Sequence, residues 1–382
     1  MRKLQVAGFA ILLAIGCGSS AEDAPTSGAG SGTAGASSSA SSSATTTAGV
    51  GGASGSGTGG TGGGAPSPGV GLFPSSSPWY QDISQAPLDA KAKDVIDGLE
   101  AAGGWGNANR VQIDFSIEVL AADASVARRA FTASPVDFYD PDCDKVDVPV
   151  PPGGSVEGEA NYACAGNGDC HLIVVQGPRL YEMWRANIAG GQVTGAFQGG
   201  CLAVWDMTKD YWTPKSPPGF ARGDQCSSAD AAGYPIAALL FSADEVKAGE
   251  IKHAIRFILP NDRIDPAVYV HPATHATRHP ATAPTPVPYG ARLRLKSSFD
   301  LSRLPSEGAR VVARALQKYG MFLADGGNIA LTAQNDTYTQ AKWDGLLGAR
   351  DLSLLGVADF DMVDGGTRIP LTLDCTRTPL TQ

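Results

Sequence analysis

Residues 251–259 read IKHAIRFIL, and this run decides the fold class. On an extended chain Ile251, His253, Ile255 and Phe257 fall to one face, and Lys252, Ala254, Arg256 and Ile258 to the other. Outward from it, similar short extended runs recur. VQIDFSIEV starts at Val111, HLIVVQ at His171, RLYEMWRA at Arg179, CLAVWDM at Cys201 and ARLRLKSSF at Ala291. AVYVH ends at His271 and MFLAD at Asp325. Gly- and Pro-rich turns separate these runs, and they do not alternate regularly with helices, which argues against a doubly wound parallel sheet. The expected fold is mainly β: a two-sheet β-sandwich, jelly-roll-like, with a few peripheral helices. Helices are expected over 88–102, after the capping box at Ser242 and Glu245, between Ser306 and Gly320, and over 343–355.

The N-terminus gives an address. Arg2 and Lys3 precede an apolar run from Leu4 to Ile15, too short to span a bilayer but suited to a signal peptide. Leu13-Ala14-Ile15-Gly16-Cys17 resembles a bacterial lipobox, so residues 1–16 are expected to be removed and Cys17 lipidated. Residues 17–77 are almost entirely Gly, Ser, Ala and Thr, a composition that cannot offset chain entropy, and are expected to form a disordered linker. Residues 78–382 then form a single β-rich domain. The expected location is the bacterial cell envelope, lipid-anchored at the outer membrane or cell surface. The formal charge of −9 makes non-specific nucleic-acid binding a poor fit. Setting Cys17 aside, six cysteines remain: 143, 164, 170, 201, 226 and 375. An even number in an exported chain reads as up to three disulfides, with Cys164 and Cys170 placed to close a small loop.

The densest concentration of chemistry lies between His253 and Asn328. It holds HAIRFILP, YVHPATHATRHP, PYGARLRLKSSFDLSRLP and ARALQKYGMFLADGGN. Together with PWYQDIS from Pro78 and SADAAGYPI from Ser228, this order resembles an uncharacterised family of secreted bacterial proteins and lipoproteins. The likeness covers most of residues 78–365. Such a resemblance implies secretion and supplies no activity, so the chemistry has to come from the residues.

A glycan-directed protein is the reading these residues favour, either a polysaccharide hydrolase or lyase, or a non-catalytic binding, adhesion or structural envelope protein. A hydrolase would draw its acid and base from Glu182, Asp206 and Asp230. A lyase would use Arg256 or Arg294 to neutralise a uronate and His253 or His271 to take the proton. His275, the shared face of Arg292, Arg294 and Lys296, and Asp325 would bind substrate, an acidic glycan suiting the cations. Asp325 also reads as turn chemistry in a hairpin. Trp184, Trp205, Trp212, Tyr181 and Tyr211 are candidates for a sugar-stacking platform. His271, His275 and His279 recur every four residues, but the surrounding prolines disfavour the helix that would align them on a metal. No metal and no cofactor is expected, nor a P-loop, dinucleotide fingerprint or nucleophile elbow, and the chain is expected to be a monomer.

Overall fold

The computed structural model describes residues 18–19, 71–165, 168–213 and 221–381. The expected signal peptide, the expected lipidation site Cys17 and nearly all of the expected linker lie outside the described residues. Ordered chain begins ahead of Pro78: Leu72 and Phe73 are buried, and Phe73 packs edge-on against Trp79 and Trp205.

The fold is mainly β, with two principal sheets, three smaller ones and a few short helices among the described residues. The central sheet runs in the order Phe360–Val363, Arg292–Leu295, Met321–Gly327, Ile255–Leu259, Leu331–Gln334 and Ile113–Ile117, with Gly18–Ser19 also pairing the Met321–Gly327 strand. A second sheet runs Leu202–Asp206, Arg179–Met183, Leu172–Gln176 and Val119–Ala122. Each of the eight expected extended runs holds one of the observed strands. The second sheet is apolar on both faces because it separates two cores. Ile173, Val175, Leu180, Ala203 and Trp205 point into the main core. Leu172, Val174, Tyr181, Met183, Leu202 and Val204 point into a smaller one. Strands buried on both sides read as continuous apolar runs rather than alternating ones.

The helix Glu307–Lys318 is capped by Ser306, whose Oγ accepts from the Ala309 N–H at 3.1 Å. Ala243–Ala248 opens with the expected capping box between Ser242 and Glu245. The helix expected over 343–355 is instead a succession of turns. Gly345 there has φ +68°, a left-handed conformation that an α-helix does not contain, and the Trp343 N–H is drawn to the Asp336 carboxylate. Three disulfides join Cys143 to Cys201, Cys164 to Cys170 and Cys226 to Cys375. They mark an extracytoplasmic protein. Among the described residues no helix is long and apolar enough to cross a membrane.

Candidate functional site

Arg256 organises the site. It lies on the Ile255–Leu259 strand, flanked by Met321–Gly327 in parallel and Leu331–Gln334 in antiparallel pairing. Its guanidinium donates from Nε to Asp230 at 2.9 Å, from Nη2 to Asp325 at 2.9 Å and from Nη1 to the Thr332 hydroxyl at 3.1 Å. Asp325 reaches this position through a β-bulge. Register passes from Phe257 opposite Leu323 to Ile258 opposite Asp325, skipping Ala324, so Asp325 comes level with Ile258. Bulges re-aim side chains in this way. Asp325 is therefore not in a hairpin turn: its strand and Leu331–Gln334 have the Ile255–Leu259 strand between them. Asp230 comes from a tight turn in which Gly233, at φ +90°, donates its N–H to the Asp230 carbonyl and the Tyr234 N–H reaches the Asp230 carboxylate.

A second charged pair faces this one. His171, at the entry to the Leu172–Gln176 strand, holds Glu157 through Nδ1 at 2.6 Å, and its Nε2 lies 3.1 Å from the Ala229 carbonyl. Both ring nitrogens thus face acceptors, an arrangement that only the doubly protonated imidazolium satisfies. Burial opposes that charge, but the adjacent Glu157 carboxylate overrides it and raises His171 to about 9. Burial likewise works against ionisation of Glu157, yet His171 holds its carboxyl below the usual range. Asp325 goes the other way. Burial pushes it up to about 7, with Arg256 opposing and Asp230 adding to the rise. Asp230, fully buried, is also raised by desolvation against the pull of Arg256.

A small chamber of about 30 Å³ lies here, walled in part by Asp114, Glu157, Asp169, His171, Arg256 and Asp325. That is room for about one water molecule. Asp114 sits opposite Thr332 on the neighbouring strand, and Asp169 accepts from the Trp184 indole N–H. Trp184 belongs both to the chamber and to a cleft of about 290 Å³ whose walls include Tyr139, Ser227, Ala229, His275 and Tyr289. Tyr139 stacks near Trp184 with ring centroids 6.5 Å apart. His275 on the cleft wall is pulled down to about 4 by burial and is neutral at physiological pH.

Two residues proposed from sequence therefore meet on the chamber wall, Arg256 and Asp325; Asp230 holds Arg256 without lining the chamber, and His275 lines the cleft beside it. The others lie elsewhere. Glu182 is buried in the main core, where burial lifts it to about 7 and it accepts from the Ala237 N–H and the Trp205 indole. Asp206 pairs with Arg179 near the surface. His253 sits between Glu245 and the Ala254 carbonyl, and His271 bonds Asp224 at 2.7 Å. Arg292 and Arg294 are turned to the carbonyls of Gln81, Ile83, Ser84 and Ala86, and Lys296 to that of Ala358. They pin neighbouring chain and do not join Arg256. Of the aromatic candidates Trp184 alone lines the cleft; Trp205, Trp212 and Tyr211 pack with Phe73 and Trp79, and Tyr181 lies in the smaller core.

Asp114, Glu157, Asp169 and His171 were not anticipated. The signal for two of them is GDCH: Asp169 and His171 are two apart at a strand entry and so share a face. Among the described residues the one grouping of potential metal-ligating atoms within 4.8 Å is Glu159, Cys164 and Cys170, whose two sulfurs are already joined to each other. No family model, curated protein or solved structure matches this chain.

Proposed function

We propose that this protein is an envelope lipoprotein that holds a glycan in the cleft at Trp184 and hydrolyses it. The observation that carries the reading is a pair of carboxyl groups in one chamber whose surroundings drive them apart: Asp325 up to about 7, Glu157 below the usual range. Opposed environments of this kind separate a general acid from a general base. In this scheme Glu157 takes a proton from a water admitted to the chamber, the water oxygen bonds to the anomeric carbon as the glycosidic bond breaks, and Asp325 hands its proton to the departing sugar oxygen. Arg256 and the His171 imidazolium fix the two carboxyls. Tyr139, Trp184 and Tyr289 give the cleft the flat apolar surfaces against which sugar rings stack.

The test is a panel of glycans presented to the purified protein, reading retention and the release of new reducing ends together. Turnover supports the hydrolase. Retention without products favours a binding or adhesion module on the same cleft, and neither retention nor turnover favours a structural envelope role.

A further inference from the structure

Several polar side chains on the cleft wall are held within the protein. Gln225 donates to the Tyr269 hydroxyl and the Pro370 carbonyl and accepts from the Thr372 N–H. Ser228 Oγ bonds the Tyr234 carbonyl at 2.9 Å, and Thr277 Oγ1 accepts from the His279 N–H at 3.1 Å. Asp142 accepts from the Ser227 N–H at 2.7 Å, and Arg222 and Arg377 both bond its main-chain carbonyl. Arg278 and Asn261 differ from these. Arg278 is exposed on the wall, and among the described residues no hydrogen bond or ion pair holds its guanidinium. Its charge reaches His275 and adds to the burial that keeps that imidazole neutral. Asn261 packs its amide against Gly326 of the chamber wall, so closely that a side chain at 326 would collide with it. No hydrogen bond occupies that amide among the described residues either. The cleft thus presents a neutral amide beside the chamber and an unpaired cation on its wall.

We infer that the cleft selects a sugar bearing an oxyanion, a carboxylate or a sulfate ester, and that Arg278 is the residue that receives it. This deepens the glycan reading above and rests on it. A guanidinium presents a planar fork of N–H donors that matches two oxygens of such a group. A hydroxyl at the same place would gain only an uncharged partner, and an ammonium would meet like charge. The Asn261 amide, donor and acceptor at once, suits a sugar hydroxyl next to the chamber. Arg292, Arg294 and Lys296, the cations that sequence alone assigns to an acidic glycan, are engaged with backbone carbonyls outside the cleft. That role falls to Arg278.

The test is an array of linkage-matched glycans that differ at one position as carboxylate, sulfate ester, hydroxyl or amine, probed with the full-length protein at low salt. A charge-assisted contact predicts that the carboxylate or the sulfate member binds about ten-fold or more tightly than the hydroxyl member. Added salt should shrink that ratio. The larger of the two oxyanion ratios tells carboxylate from sulfate. Parity between the oxyanion and hydroxyl members overturns this inference and leaves the glycan reading standing, whereas binding to no member removes both. Arg278→Gln should bring the ratio close to parity, and Arg278→Lys should keep part of it. An undiminished ratio in Arg278→Gln would seat the oxyanion elsewhere and overturn the assignment. Because Arg278 is exposed and bonded to no described residue, both variants should melt like wild type; should either not fold, the wild-type ratios and their salt dependence still decide.

Discussion

At the scale of single residues the chamber makes two pH-dependent predictions. If Asp325 is the proton donor, turnover should fall as pH rises through about 7, where its carboxyl loses the proton. Asp325→Asn should lower kcat by roughly 100-fold or more while retaining glycan in the cleft. A variant that keeps wild-type kcat would remove Asp325 from the chemistry. His171 is held at about 9 in the fold against about 6.5 in an unfolded chain. A group raised in this way binds its proton more tightly in the native state. Its contribution is complete below about 6.5 and is lost as pH climbs through about 9. The burial cost of Asp325 accumulates at lower pH, between about 4 and about 7, so the window above 7 reports the histidine. Thermal melts should show stability declining from pH 7 to about 9 in the wild type and a flatter profile in His171→Gln; parallel profiles would mean that the imidazolium is not the group responsible. Arg256 was visible from sequence only as a cation to neutralise a uronate. Its true partners were not, since Asp230 and Asp325 arrive from a turn and a bulged strand far away in the chain.

Among the elements, strands were the legible part. VQIDFSIEV, HLIVVQ and CLAVWDM carry enough β-branched and aromatic residues at strand length to declare themselves. Pairing order was hidden, because it depends on contacts between distant segments. Two consequences follow from that blindness. Arg292 and Arg294 were grouped with Arg256 on chemistry alone, whereas the Met321–Gly327 strand intervenes between theirs and its own. Gly326 and Gly327 after Asp325 give it the look of a turn residue in sequence, although the strand continues through both. Helices were legible where caps were present and misread over 343–355, where apolar spacing was helical but Gly345 and the Asp336 carboxylate impose turns. The cap on Glu307–Lys318 can be measured. Ser306 Oγ both accepts the Ala309 N–H and bonds Asp351. Ser306→Ala should destabilise the protein by about 1 kcal/mol, read as a lower urea midpoint with an unchanged slope; an unshifted midpoint would show the cap to be redundant.

For the whole molecule, address and fold are written in separate parts of the chain. The disulfides establish the extracytoplasmic compartment, and lipidation at Cys17 is the proposed means of retention there. Cys17→Ser should move the protein from the membrane fraction to the soluble one, with the N-terminal peptide losing its acyl mass. Persistence in the membrane fraction would point to another tether. The bond between Cys226 and Cys375 reaches further than its position suggests. Cys226 adjoins Ser227 and Ser228 on the wall of the cleft, and Leu373, two residues before Cys375, lines the same cleft. During export, then, that wall stays unfastened until residue 375 has emerged. A premature stop codon or frameshift just upstream of it would be felt first in ligand capture, even though every group in the charged chamber had already been synthesised.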